Sequence, residues 1–115
     1  MHRHGADPEN MTAEDFLCDF CESCYAPDRP MVEGHRGSLI CGRCLGTSFA
    51  ALWYANSGEP APKGEVCLLC LSENGDPIWR SPARTTSFIC KRCSKQSVVM
   101  LERDADSGWK RPPEP

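Results

Sequence analysis

Apolar positions recur with a helical period over one clear stretch. Leu45, Phe49, Leu52 and Trp53 stand at i, i+4, i+7 and i+8, which predicts an amphipathic helix after Cys44. Val98, Val99 and Leu101 predict a shorter one after Cys93. Ahead of each helix, two short runs predict a small β-hairpin. In the first, Met31-Val32-Glu33 and Ser38-Leu39-Ile40 flank Gly34 to Gly37; in the second, Ile78-Trp79-Arg80 and Ser87-Phe88-Ile89 flank Ser81 to Thr86. Polar, Gly- and Pro-containing segments punctuate these elements. Residues 1–12, with His2, His4, Gly5, Pro8 and Asn10, have no apolar period and read as a disordered tail. Residues 57–64 read as a linker, and residues 104–115 as a disordered Pro-rich tail, because neither composition can sustain a helix or a strand ladder. The predicted elements therefore fall into two units, residues 13–56 and 65–103.

The units superpose on a shift of 49 positions, which lays Cys18, Cys21, Cys41 and Cys44 on Cys67, Cys70, Cys90 and Cys93. Ser23 then meets Ser72, Ser38 meets Ser87, Ile40 meets Ile89, Arg43 meets Arg92, Ser48 meets Ser97 and Leu52 meets Leu101, the mark of an internal repeat. The repeat selects Cys18/Cys21 over Cys21/Cys24 as the first pair and leaves Cys24 opposite Glu73.

Each unit reads C-x2-C-x19-C-x2-C. Two residues between cysteines make a tight knuckle whose thiolates converge, and two knuckles complete a tetrahedral four-sulfur shell. Two Zn2+ ions, one per unit, are the expected cofactors; iron accepts the same donors but is the rarer occupant of this doubled spacing. The shell leaves no position open for water, so catalytic zinc is not expected. Knuckle, hairpin, knuckle and helix in that order predict a small metal-stabilised α+β fold of two tandem treble-clef-like C4 zinc fingers.

Composition sharpens this reading. A chain of 115 residues with ten prolines and nine glycines can bury only a thin core and needs staples. Nine cysteines are an odd number, against a fully paired disulfide framework. No apolar run reaches the roughly 18 residues of a membrane span, and the start leads into no apolar signal core, so a cytoplasmic, non-membrane protein is expected. The formal charge is −3. Each zinc with four thiolates adds −2, bringing the loaded chain to about −7 and disfavouring a phosphate-binding surface. Residues 67–103, with six basic and three acidic side chains, form a weakly basic exception; Asp15, Asp19, Glu22, Asp28 and Glu33 make the first unit acidic.

At Leu17-Cys18-Asp19-Phe20-Cys21, Leu39-Ile40-Cys41-Gly42-Arg43-Cys44-Leu45 and Phe88-Ile89-Cys90-Lys91-Arg92-Cys93 the chain resembles the ClpX-type C4 zinc-binding domain, the N-terminal module of an AAA+ unfoldase. The resemblance covers about residues 16–55 and 65–103. It implies binding of substrates or adaptor proteins through apolar surface and, because that module is a homodimer, a covalent pseudo-dimer within one chain, monomeric or in a small homo-oligomer. No G-x-x-x-x-G-K-[ST] loop occurs, so unfoldase activity does not follow.

The expected function is a non-enzymatic protein-interaction module, an adaptor or regulatory protein, because no phosphate loop or nucleophile with its base stands out. Two alternatives stay open: a nucleic-acid-binding protein using Arg80, Arg84, Lys91, Arg92, Lys95 and Arg103, and a redox-responsive zinc switch using Cys24, three residues beyond a ligand. Phe49, Trp53, Tyr54 and Trp79 are either core and seam or a partner surface. His35 reads as a loop histidine, since the cysteine set is complete; no role falls to His2 or His4, and Trp109 has no evident core to join.

Overall fold

The computed structural model describes all 115 residues. Its order repeats once: strand β1 (Met31–Glu33), strand β2 (Leu39–Cys41) and helix α1 (Gly42–Phe49), then β3 (Ile78–Arg80), β4 (Phe88–Cys90) and α2 (Lys91–Arg103). Each strand pair is a separate two-stranded antiparallel sheet. Met31 faces Cys41 in one, and Ile78 faces Cys90 in the other.

Those registers correct the gapless repeat. The second strands and helices obey the 49-residue shift, but Met31 corresponds to Ile78, a shift of 47. In the second unit the knuckle-to-strand connector is shorter by two residues and the hairpin loop longer by two, so the x19 spacing survives. An even exchange keeps every side chain on its original face of the pleat.

The helices depart from expectation in opposite ways. After Phe49 the first passes into a widened turn over Ala50–Tyr54, closed by Ala55 N–H donating to the Ala50 carbonyl at 2.9 Å, a π-type bond. The second, expected to be short, runs unbroken for 13 residues. Its buried face is Cys93, Ser94, Ser97, Val98 and Leu101, in which small serines stand where an apolar period would be sought. Both helices start on a cysteine: Cys41 and Cys90 are N-caps whose sulfurs accept from the backbone N–H of Cys44 and Cys93 at 3.5 Å.

One core serves both units. It joins 17 buried residues, six of them the cysteines Cys18, Cys41, Cys44, Cys67, Cys90 and Cys93, so the carbon-built part is small. The radius of gyration is 13.9 Å, near the ~13 Å typical of a single 100-residue domain rather than two beads on a string. Trp53 crosses the seam, its indole N–H donating to the Lys91 carbonyl (3.1 Å) and to Ser94 Oγ (3.0 Å). The knuckles cross reciprocally. Phe20, from the first, stacks on Trp79 with ring centroids 6.0 Å apart, and its carbonyl accepts from the Ser81 hydroxyl. Leu69, from the second, accepts from His35 N–H at 2.8 Å and lies so close to Gly34 that a Cβ there would stand 2.7 Å from the Leu69 backbone. No buried side-chain nitrogen or oxygen lacks a partner.

The end segments, read from sequence as tails, follow defined paths. His2 pairs with Phe16, and Arg3 meets the Asp15 carboxylate. Trp109 lies across α1 against Gly42 and Gly46; a Cβ on Gly42 would come within 2.6 Å of its indole nitrogen. Tyr54 donates to the Pro112 carbonyl at 2.9 Å, and Arg111 forks onto Glu102 at 2.6 and 3.0 Å. This arrangement straps the last residues over the first helix, because two glycines leave a groove wide enough for an indole. No helix is long and apolar enough to cross a membrane.

Candidate metal centres

Each centre is built from two kinds of turn. The first knuckle closes when the residue after its second cysteine turns left-handed: Glu22 (φ 65°) and Leu71 (φ 53°) do so at matching positions, donating to the carbonyls of Cys18 and Cys67 at 2.9 and 2.8 Å. Neither is glycine, so the conformation is enforced by the turn against the usual steric preference. The second knuckle is the N-cap and third residue of a helix, which places both sulfurs at the positive end of the helix dipole.

These turns bring together Cys18, Cys21, Cys41 and Cys44, and separately Cys67, Cys70, Cys90 and Cys93, with the sulfurs of each set within 4.8 Å of one another. Cys21 and Cys41 are 3.7 Å apart and Cys70 and Cys90 4.0 Å, far longer than a disulfide. A tetrahedron with metal–sulfur bonds of ~2.3 Å has edges of about 3.8 Å, so the donor sets fit Zn2+. In each set three sulfurs are buried and one, Cys21 or Cys70, is half-buried.

The surroundings suit thiolates. Cys18 Sγ accepts from the backbone N–H of Phe20 and of Cys41, both at 3.3 Å; Cys67 Sγ accepts from Cys90 N–H at 3.3 Å. Asn74 Nδ2 donates to Cys90 Sγ at 3.4 Å. Cys41 is held at about 3 by hydrogen bonds from Cys18 and then Cys44, and Cys90 far below the thiol range by Cys67 and then Cys93. The converse contacts, led by Cys18 and Cys67, raise Cys44 and Cys93. The protons so retained are the ones a divalent cation displaces on binding. Arg43 lies near Cys21 and Arg92 near Cys70, and the sulfur, as acceptor and then as charge, raises each guanidinium above its ordinary value. The sequence offered these arginines as repeat matches, and Arg92 also as part of a basic patch; their identical place within each second knuckle was the available signal for a supporting role around the sulfurs.

The remaining candidates lie elsewhere. Cys24 is exposed and outside both sets, with Arg29 donating to its carbonyl at 2.7 Å. His35 is an exposed loop residue that acts through its backbone, and neither His2 nor His4 approaches a sulfur set. The partner surface of Phe49, Trp53, Tyr54 and Trp79 is largely consumed internally. Phe49 is only 3% exposed, packed edge-on to Tyr54 and beneath Arg111. Trp53 is capped by Lys91 and Lys95, whose ammonium groups lie 4.4 and 4.7 Å from its ring centroid, and Trp79 is taken up by Phe20.

Comparison with known proteins yields no matching family model, no matching curated protein and no matching solved structure, so the resemblance to the ClpX-type module stands on the knuckle motifs alone.

Proposed function

We propose that this chain is a tandem structural-zinc module, two treble-clef-like fingers fused as a pseudo-dimer, that works in the cytoplasm as a non-enzymatic protein-recognition adaptor or regulatory subunit. The observation that carries the reading is the pair of sulfur sets, each gathering four thiols and no carboxylate or imidazole. Such sites hold a fold rather than perform chemistry. The likeness to the ClpX-type module supplies the adaptor role, and the acidic balance of the chain agrees with a protein partner over a phosphate backbone.

A second reading draws on the cleft formed by Trp53, Lys91, Arg92 and Lys95, an aromatic among cations as in nucleic-acid grooves. The ring is already covered by the two lysines, which leaves the cleft little to offer a base.

The test is native mass spectrometry of the reduced protein before and after chelation, with a fluorescent oligonucleotide titrated at low salt. Two zinc ions per chain, lost with the folded charge-state distribution, and no oligonucleotide binding are expected. One zinc or none, with masses lowered by disulfides, would overturn the metal reading. Oligonucleotide binding with a steep salt dependence would replace protein recognition by the second reading.

A further inference from the structure

The two hairpins differ at one edge, and the difference points to a ligand. On the outer side of β3, Ile78 exchanges both backbone hydrogen bonds with Glu59, each 2.9 Å long, so the segment between the units adds a one-residue strand. Arg80 holds it by an ion pair to Glu59 at 3.1 Å, and Ala61, two residues on, packs against the core. Ile78 is left 1% exposed.

The corresponding residues of β1 are Met31, facing Cys41, and Glu33, facing Leu39. Gly42 N–H donates to the Pro30 carbonyl and Gly34 N–H to the Ser38 carbonyl. The alternation of an antiparallel ladder then turns Val32 toward β2 and the peptide groups of Met31 and Glu33 outward. Nothing meets them: β2 is the only strand beside β1, and no other backbone group bonds to either residue. Beside this edge opens a cleft of about 420 Å³ lined by Phe16, Tyr25, Met31 and Leu39. Glu33 borders it, exposed and in no ion pair.

We infer that the outer edge of β1 receives an extended basic peptide from a partner protein, which adds to the hairpin as Glu59 adds to β3. The inference rests on the protein-recognition reading and names its ligand class. Charge selects the occupant. Where Arg80 takes the acidic Glu59, Glu33 occupies the equivalent place with the opposite sign, so the residue opposite Met31 is lysine or arginine. The residue two positions further on takes the place of Ala61, lies on the same face and is an apolar side chain, as Ala61 is against the core. Backbone hydrogen bonds give adhesion and the basic-x-apolar alternation gives selectivity, as in strand addition generally.

The test is a 15N NMR titration of the zinc-loaded full chain with a blocked peptide of alternating lysine and valine, and with its glutamate–valine counterpart. Shifts centred on Met31 and Glu33, slowed exchange of their amides, and at least about threefold tighter binding of the lysine peptide are expected, with Glu33→Lys reversing the preference. Charge-blind binding, or shifts centred elsewhere, would overturn the inference while leaving a protein-binding module in place. Shifts at Met31 and Glu33 that grow with protein concentration without peptide would assign the edge to a second copy and overturn it too. Silence toward both peptides would end the inference without touching the metal count or the oligonucleotide result, which decide the broader reading.

Discussion

Removing one ligand from the second finger should weaken metal binding in the first. In Cys93→Ser the second site loses a donor that is 5% exposed and sits at the start of α2. A structural zinc contributes on the order of 10 to 16 kcal/mol, comparable with the whole net stability of about 6 to 17 kcal/mol expected for a chain this long. The second half therefore unfolds. The first half then loses what covered it: Trp79 over Phe20, Leu69 against Gly34, and the acceptors on Lys91 and Ser94 for the Trp53 indole. Two large side chains re-exposed at roughly 1.5 to 3 kcal/mol each amount to about 3 to 6 kcal/mol. Because metal binding and folding are coupled, that loss appears as zinc affinity weakened by about 150- to 20,000-fold at Cys18, Cys21, Cys41 and Cys44. A competition titration with a chromophoric chelator, alongside metal content by mass spectrometry, measures it. An affinity at the first site equal to that of the unaltered protein would show that the halves are independent and that the shared seam carries no energy.

Gly34→Ala pushes a methyl group into the Leu69 backbone, which cannot give way as a side chain tip could; it should destabilise the zinc-loaded protein by about 1 to 3 kcal/mol in a thermal melt while leaving two metals per chain. An unchanged melt would mean the knuckle does not press on the hairpin. Glu102→Gln breaks the fork that holds Arg111, so the indole N–H resonance of Trp109 should move toward its disordered position at neutral pH with the metal count unaltered. A stationary Trp109 resonance would mean that Gly42, Gly46 and Tyr54 hold the strap unaided.

Legibility followed the range of the interactions. Both sulfur sets and the strands to within one residue were readable, because ligand spacing and the 49-residue repeat are local and redundant; the helices, read as following Cys44 and Cys93, start three residues earlier at Gly42 and Lys91, because the cap is made by a cysteine sulfur rather than by a side chain that marks a helix start. The length of α2 was not, since Ser94 and Ser97 occupy its buried face, one of them to accept from Trp53. Glu22 and Leu71 gave no warning of left-handed backbone, the residue types there being set by something other than conformational ease. The strap escaped because its complement to Trp109, a pair of glycines one helical turn apart, lies more than 60 residues away and reads alone as weak helix. The aromatic residues were placed ambiguously for a similar reason: composition counts them but does not show that Phe20 comes from the other unit to meet Trp79.

The exchange of two residues between connector and loop bears on how such a chain can diverge. Distance between the knuckles is what the sulfurs require, and that distance is blind to where within the nineteen intervening residues the hairpin is placed. The strand can therefore slide against its ligands, provided that it moves in steps of two and that the loop returns what the connector gives up. Duplicated fingers drifting along that ladder of even steps keep their metal and their core while the outer edge of the hairpin acquires a new residue, and a new sign of charge, at every rung. Arg80 and Glu33 stand one rung apart on such a path, which allows one copy to close its edge on the chain itself while the other turns the same edge outward.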